Sequence, residues 1–254
     1  MSYLNFIATI FVFTTNNQIF IQKHKSTMNK LTSTLMMFAM ILLVGSMTSC
    51  KDSAGDKAEV SKKGEVAAAT GNTMSVDAAN SKVMWEGTKP TGSHNGTVNV
   101  SDGSVSVKDG KVTGGSFTLD MNSITCLDLE GDSKAGLEGH LKGTAEAEKD
   151  DHFFNVKKYP TAKFEITKVT GLAGNDAANS LVYGNLTMKD VTKQVSFKAN
   201  ITTGDGMVNV SAPKFTIDRT QWNVTYGSKS IFDDLKDKFV NDEIGLSIEL
   251  AARG

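Results

Sequence analysis

The chain has 254 residues and a formal net charge of −1, with its lysine, aspartate and glutamate residues scattered along it. No segment carries the clustered basic charge that nucleic-acid binding requires, so nucleic acid is excluded as a partner. A chain of this length holds one large or two small domains, once its ends have been discounted.

The N-terminal part is typical of a targeting sequence. From Met28, a basic Lys30 precedes an apolar run from Leu35 to Val44 and then small residues ahead of Cys50. This order predicts a signal peptide, and we interpret residues 1–49 as the signal or targeting region. An earlier apolar stretch, Phe6 to Phe13, has no basic residue ahead of it. Met28 rather than the first methionine is therefore the expected start of translation.

Cys50 directly follows the apolar and small residues, and its position resembles the lipobox of bacterial lipoproteins, whose cysteine carries acyl chains. The resemblance implies a membrane anchor at Cys50 and a place in the bacterial cell envelope. The residue after the cysteine is Lys51 and not an aspartate, which favours the outer membrane, facing the periplasm. Two alternatives stay open: an ordinary secretory signal, and an uncleaved helix from Leu31 to Met47, whose roughly 17 residues are at the short limit for spanning a bilayer.

Residues 50–73 are predicted to be the lipidated cysteine and a flexible linker, because they contain almost nothing large and apolar. Such a linker would reach on the order of 25 Å. If Cys50 is acylated, Cys126 has no disulfide partner. Cys126 lies among Ile124, Leu127 and Leu129, so we expect a buried, inert thiol.

Residues 74–254 are dominated by apolar residues that alternate with polar ones, the pattern of half-buried strands. Roughly eight to ten such strands are bounded by Gly, Asn or Asp, and they favour one antiparallel sandwich or barrel domain. The segments contain Val83 and Trp85, Val98 and Val100, Val105 and Val107, Phe117 to Met121, Phe164 and Ile166, Leu186 and Met188, Val195 to Ile201, Val208 and Val210, Phe215 and Ile217, and Ile244 to Leu250. Between Asp132 and Asp150, Leu137 and Leu141 have helical spacing, which predicts one short helix over the sheet.

The residues that could carry catalysis show no catalytic motif. His94, His140 and His152 lack the short spacings of a zinc site, and no nucleophile elbow, P-loop or dinucleotide fingerprint occurs in the predicted domain. We therefore expect no catalytic residues, no metal, no cofactor and no enzymatic activity.

Two polar residues have the phase of the apolar face. Counting by twos from Val98 leads back to His94, and from Ile217 it leads forward to Arg219. A buried arginine needs a partner, so both are candidates for contacting a ligand headgroup. The alternatives are a hydrogen-bonded core histidine, and an arginine that pairs with an internal carboxylate or lies in water. The other candidate ligand-contacting residues are bulky and apolar: Trp85, Phe117, Leu119, Met121, Leu141, Phe153, Phe154, Phe164, Ile166, Phe197, Phe215, Ile217 and Trp222.

Several motifs together resemble the YceI-like family. They are Gly139–Lys142, Asp151–Phe164 with its Phe-Phe and Tyr-Pro pairs, Trp85 with His94 and Gly96, Gly115–Phe117 leading to Met121–Ile124, Tyr183–Lys193, and Asp218–Trp222. They occur in family order and cover nearly all of the chain from about Met74 to Leu250. The family usually passes almost directly from His-Leu-Lys to Phe-Phe, whereas here Gly143 to Asp150 intervene.

The resemblance implies an all-β fold, an extended antiparallel lipocalin-like barrel with one short helix, and a long apolar channel. It implies an isoprenoid lipid in that channel, such as an isoprenoid quinone or a polyprenyl phosphate, and no reaction. We therefore expect a non-catalytic binding or carrier lipoprotein, while the sequence leaves a homodimer open. Two rival hypotheses are a quinone- or lipid-linked redox or enzymatic accessory, favoured by a pocket with His94 beside a carboxylate, and a structural envelope lipoprotein with a closed core.

Overall fold

Alternating apolar residues build a closed β-barrel in the part of the chain that the structure describes. The structure is a computed structural model that describes residues 55–145, 151–173 and 178–254, all within one structural unit. The predicted signal region, Cys50 and residues 51–54 lie outside the described residues. The strands are β1 Asp56–Lys57, β2 Glu59–Lys62, β3 Asn72–Val76, β4 Lys82–Lys89, β5 Gly92–Lys108, β6 Lys111–Cys126, β7 Thr161–Gly171, β8 Ser180–Met188, β9 Val191–Gly204, β10 Met207–Asp218 and β11 Glu243–Arg253.

The barrel wall consists of β4 to β11, which pair in chain order, and β11 closes the ring by pairing with β4. All of these pairings are antiparallel, which confirms the predicted all-β barrel. The β8–β9 turn has positive φ at both Lys189 and Asp190, the backbone of a tight two-residue hairpin. Strand β3 lies outside the ring and pairs with β5 and β11.

Among the residues that the structure describes, one α-helix, α1, spans Gly131–Lys142 and ends at Gly143, whose φ of 71° is the left-handed conformation that glycine tolerates best. The helix confirms the predicted one, although it ends earlier than Asp150, and residues 146–150 lie outside the described ones. The described residues also contain three short 3₁₀ helices, at Ala78–Asn80, Arg219–Trp222 and Lys236–Lys238. Over residues 55–145, 151–173 and 178–254, no helix combines the length and apolarity that crossing a membrane would need.

The segment predicted to be a flexible linker contains two strands, so that prediction is wrong for its described part. We call β1 and β2 together, Asp56–Lys62, the strap. Its first strand pairs in parallel with β10 and its second pairs antiparallel with β9. Farther along, Ala67 donates its backbone N–H to Ile166 at 3.0 Å. The segment lacks large apolar residues, but its backbone groups are satisfied by the barrel.

Four phenylalanines form a layer across the barrel interior, which we call the phenylalanine layer: Phe117, Phe164, Phe197 and Phe215. Phe117 stacks on Phe164 with ring centroids 5.2 Å apart, and Phe197 stacks on Phe215 at 4.6 Å. Phe164 and Phe197 lie 5.7 Å apart and join the two pairs. The Phe164 ring occupies the space beside Gly184, where an added Cβ would lie 2.1 Å from it. A glycine is therefore required at that position.

Candidate functional site

An apolar cavity of about 360 Å³ occupies one end of the barrel. Its volume lies within the range of roughly 300–1,000 Å³ typical of small-molecule sites. The strand residues that line it include Val83, Val98, Leu119, Met121, Leu186, Met188, Ile217, Ile244 and Leu246. On the other side of the phenylalanine layer, the interior holds a cavity of only about 30 Å³, lined by Phe117, Phe164 and Phe197 among others. The barrel interior thus contains a large cavity at one end and is tightly packed at the other.

Three segments cover the cavity end of the barrel, and we call them the roof: helix α1, residues 151–159, and the loop of residues 223–242. The roof supplies Leu137, His140, Leu141, Phe153, Phe154, Val224, Tyr226, Lys238 and Val240 to the cavity lining. Backbone bonds join its parts, since Phe154 and Val156 donate to the carbonyls of Leu141 and Lys142 at 3.1 and 2.9 Å. The helix and the Phe-Phe segment therefore form one unit over the cavity.

Arg219 fixes the loop of the roof. Its side chain is 1% exposed and donates to the carbonyls of Asn241, Val224 and Val240 at 3.1, 2.7 and 3.0 Å. Asp242 Oδ1 lies 3.5 Å from Nη2. Burial lowers the pKa of the Arg219 guanidinium, while the charge of Asp242 raises it. Arg219 is buried, as its phase predicted. Three of its five N–H donors already bind carbonyls of the loop of residues 223–242.

Lys189 makes a second buried tie. Its Nζ donates to the carbonyls of Asn223 and Asp151 at 3.0 and 3.3 Å, and lies 3.0 Å from Asp151 Oδ1. The hydrogen bond from Lys189 lowers the pKa of Asp151. Through this one side chain, the β8–β9 hairpin holds two segments of the roof.

His94 forms the polar corner of the cavity. Its Nδ1 lies 2.8 Å from Asp128 Oδ2, while Asp128 Oδ1 accepts from the Asn95 backbone N–H at 2.9 Å and from Cys126 Sγ at 3.2 Å. The Asn95 N–H, followed by the His94 bond, holds the pKa of Asp128 well below its usual range. The carboxylate fixes the orientation of the imidazole, leaving Nε2 for other partners.

His94, Cys126 and Asp128 could also hold a metal ion, because their ligand atoms lie within 4.8 Å of one another. Imidazole, thiolate and carboxylate are ligands that zinc accepts. Cys126 is free and buried, as predicted, and burial raises the pKa of its thiol. A raised thiol pKa opposes metal binding, which requires the thiolate. The hydrogen bonds within the group satisfy these atoms.

The residues that the sequence predicted to contact a ligand fall into two groups in the structure. Nine line the large cavity: Trp85, His94, Leu119, Met121, Leu141, Phe153, Phe154, Ile217 and Arg219. Six do not: Phe117, Phe164, Phe197 and Phe215 form the phenylalanine layer, Ile166 lines the small cavity, and Trp222 is buried and donates to the Leu186 carbonyl at 3.0 Å. Strand phase separates inside from outside but does not say how far along the barrel an interior residue lies.

Apart from His94 and Arg219, sequence reasoning missed the polar residues of the lining. Glu86, Lys89, His140, Tyr226 and Lys238 reach the cavity from strand ends and from the roof. His140 and His152 are far apart in sequence, yet the Tyr226 ring contacts both, with centroids 4.6 and 4.5 Å away. The family motifs around both histidines were the only available signal, because the roof loop has no periodic pattern.

The model of the YceI-like domain matches residues 74–252. Among curated proteins, a UPF0312 protein of Pseudomonas aeruginosa is 38% identical over 92 residues, which cover 34% of this chain and 44% of that protein. A UPF0312 protein of Pseudomonas putida is 48% identical over 65 residues, or 24% of this chain and 32% of that protein. The chain spans less than half the length of these curated relatives.

Two solved structures share the fold. BcnA of Burkholderia cenocepacia matches with a TM-score of 0.52 and 20% identity, over 70% of this chain and 99% of that one. A polyisoprenoid binding domain from Saccharophagus degradans matches with a TM-score of 0.51 and 15% identity, over 75% of this chain and 99% of that one. The family match covers most of the chain and includes every strand of the barrel wall except the last residue of β11. The chain therefore belongs to the YceI-like family.

Proposed function

We propose that the protein is a non-catalytic carrier that holds an isoprenoid lipid, either an isoprenoid quinone or a polyprenyl phosphate, in the cavity. The observation that carries the proposal is the apolar cavity of about 360 Å³ at one end of the barrel. A core that packed throughout would have no such space. The name of the Saccharophagus degradans domain, which shares the fold, supports the choice of a polyisoprenoid.

Selectivity in such a carrier depends on shape and headgroup rather than on hydrophobicity. Burying a CH₂ group from water gains about 0.8 kcal/mol, but a lipid tail that leaves a membrane is already out of water. Transfer into the cavity therefore gains little from apolar burial. His94 is the candidate headgroup contact, because Asp128 orients its ring at the cavity wall. Arg219 acts mainly by holding the roof.

The proposal includes a membrane anchor at Cys50 and a location in the bacterial cell envelope, at the outer membrane and facing the periplasm. The support is the order of residues from Met28 to Cys50. An anchor would hold the cavity beside the membrane that contains its lipid.

Native mass spectrometry of the full chain, expressed in a bacterial envelope and followed by lipid extraction, tests the proposal. We expect a bound species with the mass of an isoprenoid. Leu119→Trp should intrude into the cavity and reduce that species, while Thr118→Trp, at the adjacent position and so on the other face of the same strand, should retain it. A folded protein that carries no lipid and takes up neither added quinones nor polyprenyl phosphates would contradict the proposal.

The hydrogen-bonded His94 and Asp128 also favour a second candidate, an accessory that acts on the redox state of a bound quinone. A histidine oriented by a carboxylate can exchange protons with a quinone oxygen. In that case Asp128→Asn should change the pH dependence of the bound quinone's midpoint potential. Asp132→Asn, in the exposed first turn of α1, is the control. If the pH dependence of the midpoint potential is unchanged in Asp128→Asn, the redox role is contradicted and the carrier function remains the only candidate.

A further inference from the structure

The barrel wall is interrupted between β9 and β10. These strands pair only where Asn200–Gly204 meets Met207–Ser211. Beyond that point β9 continues with β8 and β10 continues with β11, so the two strands separate. We call this opening the breach. The strap lies in it, with β1 along Phe215 and Thr216 and β2 along Lys193–Ser196.

A crevice of about 440 Å³ marks the breach from the outside. Its walls are the strap and the facing parts of β9 and β10, and Phe197 and Phe215 line it as well. Phe197 also lines the small inner cavity, and Phe215 is the strand partner of Leu246, which lines the large one. The stacked pair Phe197 and Phe215 thus lies between the crevice and the barrel interior.

The strap is held by exposed contacts, unlike the roof. Lys198 pairs with Asp56 at 2.6 Å, and Lys57 pairs with Glu243, all with side chains at least 43% exposed. Ala58 is the strap residue buried in the core, and Val60, which is partly buried, packs against that core. The roof, by contrast, is fixed by the buried Arg219 and Lys189. A segment with few buried apolar contacts and exposed hydrogen bonds opens more easily than the rest of its fold.

We infer that the breach is a lateral entry site for the hydrocarbon chain of the lipid, closed by the strap and by the Phe197–Phe215 pair. When the strap leaves, a chain can pass between β9 and β10 and displace Phe215 toward the cavity lined by Ile217 and Leu246. The inference rests on the proposed function. It also concerns residues 56–62, which lie outside the family match at 74–252.

A reversible disulfide tests the inference. Ser61 and Gln194 are opposite each other on β2 and β9, so Ser61→Cys with Gln194→Cys should lock the strap when oxidised. Lys82→Cys with Glu249→Cys is the matched control, because it joins two opposite exposed residues in the continuous wall. Lipid-free full-length protein is mixed with phosphatidylcholine vesicles that contain a short-chain isoprenoid quinone. Quenching of tryptophan fluorescence reports uptake, because Trp85 lines the cavity and Trp222 is bonded to Leu186 in its lining.

Oxidation of the strap pair should slow uptake by about tenfold, and reduction should restore it, with the final amount of bound quinone unchanged. The control pair should show the same rate in both states. Equal rates for the locked and unlocked strap, or equal slowing by both pairs, would overturn lateral entry while leaving the carrier function intact. Absence of uptake by the reduced proteins would contradict both.

Phe215→Leu, which removes the stacking partner of Phe197, should accelerate uptake and checks the path without a disulfide.

Discussion

For Arg219, the sequence predicted the buried position correctly but not the contacts of the side chain. The alternation of β10, extended one residue past its end at Asp218, predicted an inward-facing Arg219, and the structure confirms its burial. Its partners are carbonyls from the loop of residues 223–242, which no periodic pattern connects to β10. Burial follows from strand alternation, whereas the partner depends on how an irregular loop folds back. The sequence therefore predicted the location but not the contacts.

Replacing Arg219 with alanine should destabilise the protein by about 2–4 kcal/mol, because buried carbonyls would lose their donors. Arg253→Ala is the matched control. That arginine is 62% exposed and pairs with Asp77 at the surface, so its loss should cost less than about 1 kcal/mol. Chemical denaturation measures both free energies of unfolding. Similar losses in the two variants would argue against Arg219 as the anchor of the roof.

Cys126 should react slowly with a thiol reagent in the folded protein. Burial raises the pKa of its thiol, so less thiolate is present at pH 8 than for an exposed cysteine, and a higher pH is needed to form it. We expect little reaction with Ellman's reagent until guanidinium unfolds the chain. In a Cys50→Ala background, Ser133→Cys at the exposed start of α1 supplies the reactive comparison. Rapid labelling of native Cys126 would contradict its burial.

At the scale of elements, the barrel was predictable and the strap was not. Alternation locates β4 to β11 because each strand has one apolar face. The strap has no such face, and its composition predicted a flexible linker. It docks through backbone pairing, and Gly64, two residues beyond it, is held by the fully buried Asn185 side chain, which accepts from Gly64 N and donates to Gly64 O, both at 2.9 Å. The amino-acid composition of a segment does not reveal which backbone hydrogen bonds it makes.

Asn185→Ala should loosen the strap specifically. Loss of both hydrogen bonds to Gly64 costs about 1–2 kcal/mol locally, so amide hydrogen exchange around residues 59–64 should accelerate by roughly 5- to 30-fold. Asn179→Ala is the control, since Asn179 makes the same two bonds to Ile201, at 2.8 and 2.9 Å. Unchanged exchange in the strap of Asn185→Ala would mean that β1 and β2 are held by other contacts.

At the scale of the whole molecule, the proposed anchor predicts where the protein is found. Cys50→Ser should move it from the membrane fraction to the soluble fraction of the envelope, or leave an unprocessed precursor, because the acyl chains are lost. Immunoblotting of fractionated cells measures the change. Cys126→Ser is the control and should stay with the membrane. Equal fractionation of Cys50→Ser and the unaltered protein would rule out acylation as the anchor.

Docking of the strap changes what an anchored barrel can do. With Gly55 next to β10, only five peptide units separate it from Cys50, about 18 Å at full extension. The barrel would then remain a resident of one membrane patch, with its flank turned toward the lipid. With the strap detached, the free segment would extend only to Lys63, because Asn185 holds Gly64, and it would span about 45 Å at full extension. The contacts of the strap would then decide how far the barrel can move from the membrane to which the proposed anchor holds it.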